Sequence, residues 1–329
     1  MNSFGRIFRV SIFGESHGIQ IGAVVDGCPA GIPLHENDLK EDFARRRAGG
    51  IGTTPRVEPD LPRIVSGVFN GKTTGAPITI VFENTNTKSG DYSNLWDHPR
   101  PGHADFTGQQ KYGAHNDPRG GGHFSGRITL GIVAAGVIAK KIISPTIVSA
   151  TLIEAGGSKD IQAAVEQAVA TKNSIGGIVE CVCTHVPVGI GEPFFDSAES
   201  LIAHMIFAVP ATKGIEFGSG FAAAAMKGNE HNDNFISATG KTETNFAAGI
   251  NGGITNGNDI VFRVPIKPTS SIGMPQETFN FKSKTVETLV IEGRHDACIA
   301  LRIPVVIEAA TAIALADLCL LAQQRPRIV

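Results

Sequence analysis

Residues 128–143 carry apolar or small side chains on every helical face, with only Thr129 inside the run and Lys140-Lys141 near its end. A helix that is apolar all round has to be covered all round. A chain containing it must therefore supply layers on both sides. The run is shorter than the roughly 18 uninterrupted apolar residues of a bilayer-spanning helix, so it reads as a buried helix of a water-soluble fold. Immediately before it, residues 84–126 show little apolar periodicity and hold His98, His103, His115, His123 and the triplet Gly120-Gly121-Gly122. A long irregular segment inside an otherwise apolar chain points to function.

The other periodicities supply the layers. Strands are expected at Phe8–Phe13, Ile19–Val25, Val65–Phe69, Pro77–Glu83, Gly177–Val188, Ile260–Ile266 and Thr285–Glu292, with Asn70-Gly71 as the turn joining the third and fourth. Helices are expected from Asn37 or Asp38 to about Arg47, and over Asp160–Lys172, Ala198–Phe207 and Val305–Gln323. The order is mixed, without strict βαβ alternation, which predicts an α+β layered fold. No repeat and no linker divides the chain, so residues 1–329 are read as one domain.

The 329 residues carry 29 Lys plus Arg against 31 Asp plus Glu, a net charge of −2. That balance argues against nucleic acid as a partner. The N-terminus has no charged region followed by an apolar run, and no membrane span is evident. Five scattered cysteines without a CxxC pair fit a reduced, cytoplasmic protein. Gly67 to Thr73 is one residue short of a P-loop spacing and reads as a β-turn. Gly218-Ser-Gly220 followed by Ala223 fits a dinucleotide pattern only loosely, because the strand before it is interrupted. Cys181 and Cys183 alternate on a strand and read as core. The histidines match no standard zinc spacing.

Four short stretches carry more weight. Gly14-Glu15-Ser16-His17-Gly18 puts a histidine at a strand end, between glycines. Arg45-Arg46-Arg47, with Arg56 beyond it, is a basic cluster that wants an anion. Arg100-Pro101-Gly102-His103-Ala104-Asp105 sets a histidine on a turn beside a cation and a carboxylate. Arg119 through Arg127 runs through three glycines into the buried helix, where backbone N–H groups can approach a phosphate. A fifth, Gly293-Arg294-His295-Asp296, follows a strand.

Together with RVEPD at 56–60, SGVFNGKTTGAPI at 66–78, NTNTKSGDYS at 84–93, PATKGIEFGSGF at 210–221, GGITNG at 252–257, KPTSSI at 267–272 and GRHDACIALRIPVV at 293–306, these stretches strongly resemble the chorismate synthase family over nearly the whole chain. The resemblance implies a β-α-β sandwich assembled as a homotetramer. It also implies an anti-1,4-elimination of phosphate from 5-enolpyruvylshikimate 3-phosphate, with reduced FMN required and no net redox change. By the same resemblance His17 protonates the departing phosphate and His103 the flavin or its surroundings, while Ser16 and Asp296 relay the proton. Substrate anions fall to Arg46, Arg47, Arg56, Arg100 and Arg127. Flavin contacts fall to His123, Phe124, Ser125, Pro210, Ala211, Gly252, Lys267, Pro268, Thr269, Ser270, Ser271 and Arg294, and no metal is implied.

The chain departs from the family pattern in places. His123 and Phe124 stand where many bacterial members have Arg and Ser. Near Gly52 the loop is one residue shorter and lacks an Arg that some members link to NADPH. The stretch after about residue 145 and the C-terminal tail are shortened. A monofunctional enzyme fed by an external flavin reductase is therefore expected. Two rivals remain at this stage: a metal-dependent phosphohydrolase using His17, His103 and Asp105, and a non-catalytic flavin carrier.

Overall fold

The computed structural model describes residues 1–54, 58–85, 95–291 and 295–324. Its strands are β1 Ser3–Phe4, β2 Arg9–Gly14, β3 Gln20–Asp26, β4 Arg63–Ser66, β5 Val68–Phe69, β6 Lys72–Thr73, β7 Ile78–Glu83, β8 Ile147–Ala155, β9 Gly177–Thr184, β10 Glu216–Phe217, β11 Ile250–Asn251, β12 Ile254–Thr255, β13 Ile260–Ile266, β14 Gln276–Asn280 and β15 Thr285–Leu289. Its α-helices are α1 Lys40–Arg46, α2 Asp105–Tyr112, α3 Thr129–Ile142, α4 Ile161–Ala170, α5 Ala198–Phe207, α6 Gly228–His231 and α7 Pro304–Gln324. One antiparallel sheet has the order β1-β2-β3-β7-β4 and a second β10-β13-β9-β8.

Between the sheets lie α3 and α7. Helix α3 packs on β2 and β3, α7 packs on β8 and β9, and the two helices pack on each other. This is the layered arrangement that the all-round apolar character of residues 128–143 demands. Eleven consecutive residues of α3, Thr129–Ala139, are buried. Each large aliphatic side chain among them stabilises the fold by about 1.5–3 kcal/mol.

Two glycines set how closely the layers meet. A Cβ on Gly131 would stand 2.9 Å from the Gly22 carbonyl oxygen of β3, and one on Gly136 would stand 2.3 Å from Ala309 Cβ of α7. Gly136→Val is accordingly expected to destabilise the protein by about 3 kcal/mol through overpacking. Urea unfolding midpoints measure this, and a midpoint equal to that of the parent would remove the close approach as its cause.

Among the described residues α7 has the length and composition of a membrane span, yet 83% of its apolar window is inside the fold. Its two buried carboxylates are satisfied locally. Asp317 accepts the backbone N–H groups of Arg6, Ile7 and Phe8. Glu308 accepts from Arg45, Lys140 and the N–H of Ala150.

Several sequence expectations shift. The strand expected at Val65–Phe69 breaks at Gly67, whose φ is +81°. Asn70-Gly71 therefore closes the small β5–β6 hairpin, and it is β4 that pairs with β7. The helix expected from residue 37 begins as a 3-10 turn over Glu36–Leu39 before α1. Strand β9 stops at Thr184, because His185 takes a φ of +57°. The segment after Gly218 makes only a 3-10 turn over Gly220–Ala225, so no dinucleotide helix follows. Strands β8 and β14 and helix α2 were not anticipated. The last, Asp-Phe-Thr-Gly-Gln-Gln-Lys-Tyr, has a single buried residue and no apolar face to betray it.

Candidate active site

The turn after β2 is fixed by its neighbours. Gly14 has a φ of +98°, and a Cβ there would meet the Gln20 carbonyl oxygen at 2.4 Å. The side-chain amide of Asn84 donates to the carbonyls of Glu15 at 3.1 Å and Gly18 at 2.9 Å. The Ser16 N–H donates to the Gly122 carbonyl at 3.0 Å. Ser16 and His17 are both buried.

The glycine triplet then brings the two key histidines together. Gly120, Gly121 and Gly122 have φ values of 60°, 82° and 54°, a region L side chains rarely adopt. A Cβ on Gly120 would lie 2.6 Å from His17 Nε2 and 2.9 Å from Ser16 Oγ. One on Gly121 would lie 3.4 Å from His103 Nε2. The two imidazoles thus pack against consecutive glycines of one loop.

His103 belongs to a charged knot. Its Nδ1 sits 2.5 Å from Asp105 Oδ1 and 3.0 Å from Arg100 Nη2. Arg100 also donates from Nε to Asp105 at 2.7 Å and from Nη1 to Ser271 Oγ at 3.0 Å. Burial alone would raise the Asp105 pKa, but hydrogen bonds from Arg100 and His103 outweigh it and hold the carboxyl well below its usual range. Ionised Asp105 keeps a proton on His103 Nδ1 and leaves Nε2 facing Gly121.

A carboxyl with its folded-state pKa below the unfolded value of about 4 stabilises the fold above that value. The contribution is lost as pH falls through the folded-state pKa. Asp105→Asn is expected to flatten the loss of stability between about pH 5 and 2. Urea midpoints across that range test this; parallel curves for parent and variant would show that the knot adds nothing.

Arginines form the next wall. Arg46 and Arg127 are buried, and both pair with Asp60, Arg46 at 3.7 Å and Arg127 in direct contact. Arg302 donates to the Arg46 carbonyl at 2.9 Å and to Asp296 at 3.2 Å. Asp296 also accepts the Thr54 N–H at 2.9 Å. Burial, then the adjacent Arg302, push the Arg46 guanidinium down to about 9, with Asp60 opposing and Arg127 adding to the shift. Arg46 remains a cation at neutral pH, with two guanidinium groups, Arg302 and Arg127, and two carboxylates, Asp60 and Asp296, around it. An incoming anion would give the buried guanidinium groups a further partner.

These groups line a cavity of about 740 Å³, within the roughly 300–1,000 Å³ of small-molecule sites. One part is cationic, with Arg46, Arg47, Arg100, Arg127 and Lys267. The other is apolar, with Val10, Ile12, Ile132, Met205 and Val306. Ser16 and His17 are not themselves among the lining residues; they are buried behind Gly120, which is.

His103, His123, Phe124, Ser125, Pro210, Ala211, Asp296 and the whole run Lys267 to Ser271 also line the cavity. Lys267 donates to Ser270 Oγ at 2.7 Å and to the Gly102 carbonyl at 3.1 Å, tying this run to the His103 turn. His123 is engaged at both ring nitrogens, with the Gly14 carbonyl at 2.8 Å and Asn2 Oδ1 at 3.1 Å. It braces the His17 turn where the family pattern has an arginine.

Gly252 is not brought to the cavity. It sits in the turn between β11 and β12, and the neighbouring Gly253 carbonyl accepts the Ala198 N–H at the start of α5. The cavity takes His204, Met205 and Ala208 from the far end of that helix. Ten helical residues separate the two ends by about 15 Å. Arg56 and Arg294 lie outside the described residues.

The sequence reading missed Asp60, Asn84 and Arg302 as site residues. Asp60 and Asn84 fall inside quoted stretches, RVEPD and NTNTKSGDYS, and Arg302 inside GRHDACIALRIPVV, so position within a motif was the available signal. Among the described residues no three His, Cys, Asp or Glu side chains gather as a metal site requires. Asp105 is committed to Arg100 and His103.

Fold and site together define a class: an α+β protein with an arginine-walled cavity and two histidines packed on one glycine loop, an arrangement suited to a multiply charged small molecule. The comparisons name the class. The family model described as chorismate synthase matches residues 8–320. A chorismate synthase from Chitinophaga pinensis is 62% identical over 329 residues, covering 100% of this chain and 99% of the relative. One from Dehalococcoides mccartyi is 44% identical over 360 residues, at 100% and 99% coverage. A crystal structure of chorismate synthase superposes with a TM-score of 0.75 at 26% identity, over 98% of this chain and 93% of that one. The chain belongs to the chorismate synthase family, carbon–oxygen lyases of the shikimate pathway.

Proposed function

We propose that the chain eliminates phosphate in an anti-1,4 sense from 5-enolpyruvylshikimate 3-phosphate to give chorismate, using reduced FMN without net redox change. The observation that supports this reading is that His103 and Gly120 line the arginine-rich cavity, while His17 packs against Gly120 from behind the lining. A phosphate and two carboxylates need several cations, and a chain of net charge −2 gathers them at this place.

The residues present suit a flavin. The run Lys267 to Ser271 brings an ammonium group and three hydroxyl-bearing residues to the cavity lining. Thr269 lines the cavity, and its buried Oγ1 has no hydrogen-bond partner among the described residues, which leaves it for a polar ring edge. Reduced FMN, when bound, lends electron density to the substrate and takes it back.

The protein's own part is acid–base and positional. Arg46, Arg47, Arg100 and Arg127, with Arg56, hold the substrate oxyanions by paired hydrogen bonds. His17 delivers a proton to the phosphate oxygen as its bond to carbon breaks. His103, oriented by Asp105 at Nδ1, has Nε2 free to exchange a proton beside the place a flavin would take. Ser16 sits beside His17 to pass a proton. Asp296, steadied by Arg302 and the Thr54 N–H, offers a carboxylate on the opposite side. His123, Phe124, Ser125, Pro210, Ala211, Lys267, Pro268, Thr269, Ser270, Ser271 and Arg294 serve the flavin.

We read the chain as a single cytoplasmic domain that assembles as a homotetramer. Phe194, Phe195, Phe221 and Phe235 are each more than 70% exposed in the protomer, a large apolar outlay for a surface that meets only water. Reduced flavin comes from a separate reductase. Gly52 supports that part: a Cβ there would lie 2.3 Å from Val165 Cγ1, so the loop has no room for an arginine at this place.

Anaerobic incubation of substrate with dithionite-reduced FMN, read as chorismate absorbance, tests the reading. Chorismate formation that survives chelator is expected. Its absence overturns the proposal, and loss of activity to chelator with stoichiometric zinc or manganese would favour the phosphohydrolase. Steady NADPH-driven reduction of FMN by the pure protein would refute the external reductase.

A further inference from the structure

We infer that Asn84 is a positioning residue that fixes the distance between the proton on His17 and the guanidinium of Arg127. The inference deepens the proposed elimination and rests on that reading. Asn84 follows the last residue of β7, and its own N–H donates to the Ile19 carbonyl at 3.1 Å, so its backbone continues the sheet. Its side chain then faces two ways. Nδ2 donates to the carbonyls of Glu15 and Gly18, at 3.1 and 2.9 Å, the residues that bracket Ser16 and His17. Oδ1 accepts from Arg127 Nε at 3.0 Å.

The neighbours settle the orientation of the amide. Carbonyls only accept and a guanidinium only donates, so the reversed amide would oppose like with like at all three contacts. One planar group of fixed length therefore spans from the turn that carries the acid to a cation of the cavity wall. Arg127 is held on its other side by Asp60 and by the Glu83 carbonyl at 3.5 Å. The turn is held on its other side by the Gly122 carbonyl and by His123. Asn84 is the direct link between these two assemblies. A phosphate held by Arg127 and protonated by His17 needs its oxygen within about 3 Å of the imidazole nitrogen. A misplacement of about 1 Å there costs about 10²-fold in rate.

Two substitutions separate this role from plain packing. Asn84→Asp keeps an acceptor for Arg127 but sets carboxylate lone pairs against both turn carbonyls. Its kcat is expected to fall about 10²-fold, with KM for the substrate within about threefold of the parent. Asn84→Ala loses all three contacts and is expected to lower kcat as far and to raise KM as well.

A second measurement needs no turnover. In 15N-labelled protein without ligands, the His17 ring resonances, assigned with His17→Gln, are expected to shift in both variants while the His103 resonances stay in place. Parent kcat in Asn84→Asp, a loss confined to KM, or unmoved His17 resonances in a folded variant would each overturn the inference. If the parent itself forms no chorismate, the proposed function fails instead, and the ring resonances still decide whether Asn84 positions His17.

Discussion

His17→Ala and His103→Ala are each expected to lower turnover about 10²-fold or more, the scale of lost acid–base catalysis, with the fold intact. The two losses should differ in character. His17 packs against Gly120 with Ser16 beside it, so its removal strips the proton that meets the leaving phosphate. A substrate analogue whose leaving group needs no protonation should restore much of the rate in His17→Ala and little in His103→Ala. His103 is tied instead to Asp105 and Arg100. Asp105 already accepts from Arg100 at both oxygens, so the loss of His103 leaves that pair in place and removes only the imidazole, a change that Asp105→Asn should mirror in part. Near-parental turnover in either alanine variant removes that histidine from the mechanism.

Arg127→Met is expected to cut both activity and stability. The guanidinium is 7% exposed and Asp60 is 3% exposed. Removing one partner of a buried pair strands the other charge, at a cost of about 3–5 kcal/mol. The remaining cation near Asp60, Arg46, stands at 3.7 Å and is already shared with Thr129 and the Gly126 carbonyl, which places the expected loss toward the lower end. The double variant Arg127→Met with Asp60→Leu should recover stability and leave substrate binding poor. Denaturant midpoints and substrate KM, measured on both variants, check the two halves. Equal stability in single variant and parent would mean that water reaches Asp60 and the pair is not a dry one.

The layered core was legible because burial on every face leaves a mark on every residue. The run at 128–143 could lie only between two layers, and it does, as α3. Ala198–Phe207 and Ile260–Ile266 were bounded correctly because apolar residues cluster over the whole of each. Helix α2 was not legible, since it is held by its setting rather than by an apolar stripe. Strand β8 escaped notice because it begins at Ile147, just after the apolar run of α3 ends, with only residues 143–146 between them.

The candidate site divides in the same way. His17 and His103 could be picked out because each sits in a local pattern of glycine, proline and charge whose purpose is geometric. Asp60, Asn84 and Arg302 are ordinary residues by every local measure. They matter through partners 43 to 256 positions away in sequence, and no window of the chain contains both ends. Gly252 shows the converse: its motif resembles the family's flavin contact, and the protomer places it at the wrong end of α5.

By itself the sequence determined the class of fold and the family, and it singled out His17 and His103 as candidates, because hydrophobic period and glycine placement act over a few residues at a time. Only the tertiary structure decided that these histidines pack on one loop, that Asp60 serves two arginines, and that Asn84 ties the turn carrying His17 to Arg127. Those are distances between segments far apart along the chain, set by how the sheets close on α3 and α7.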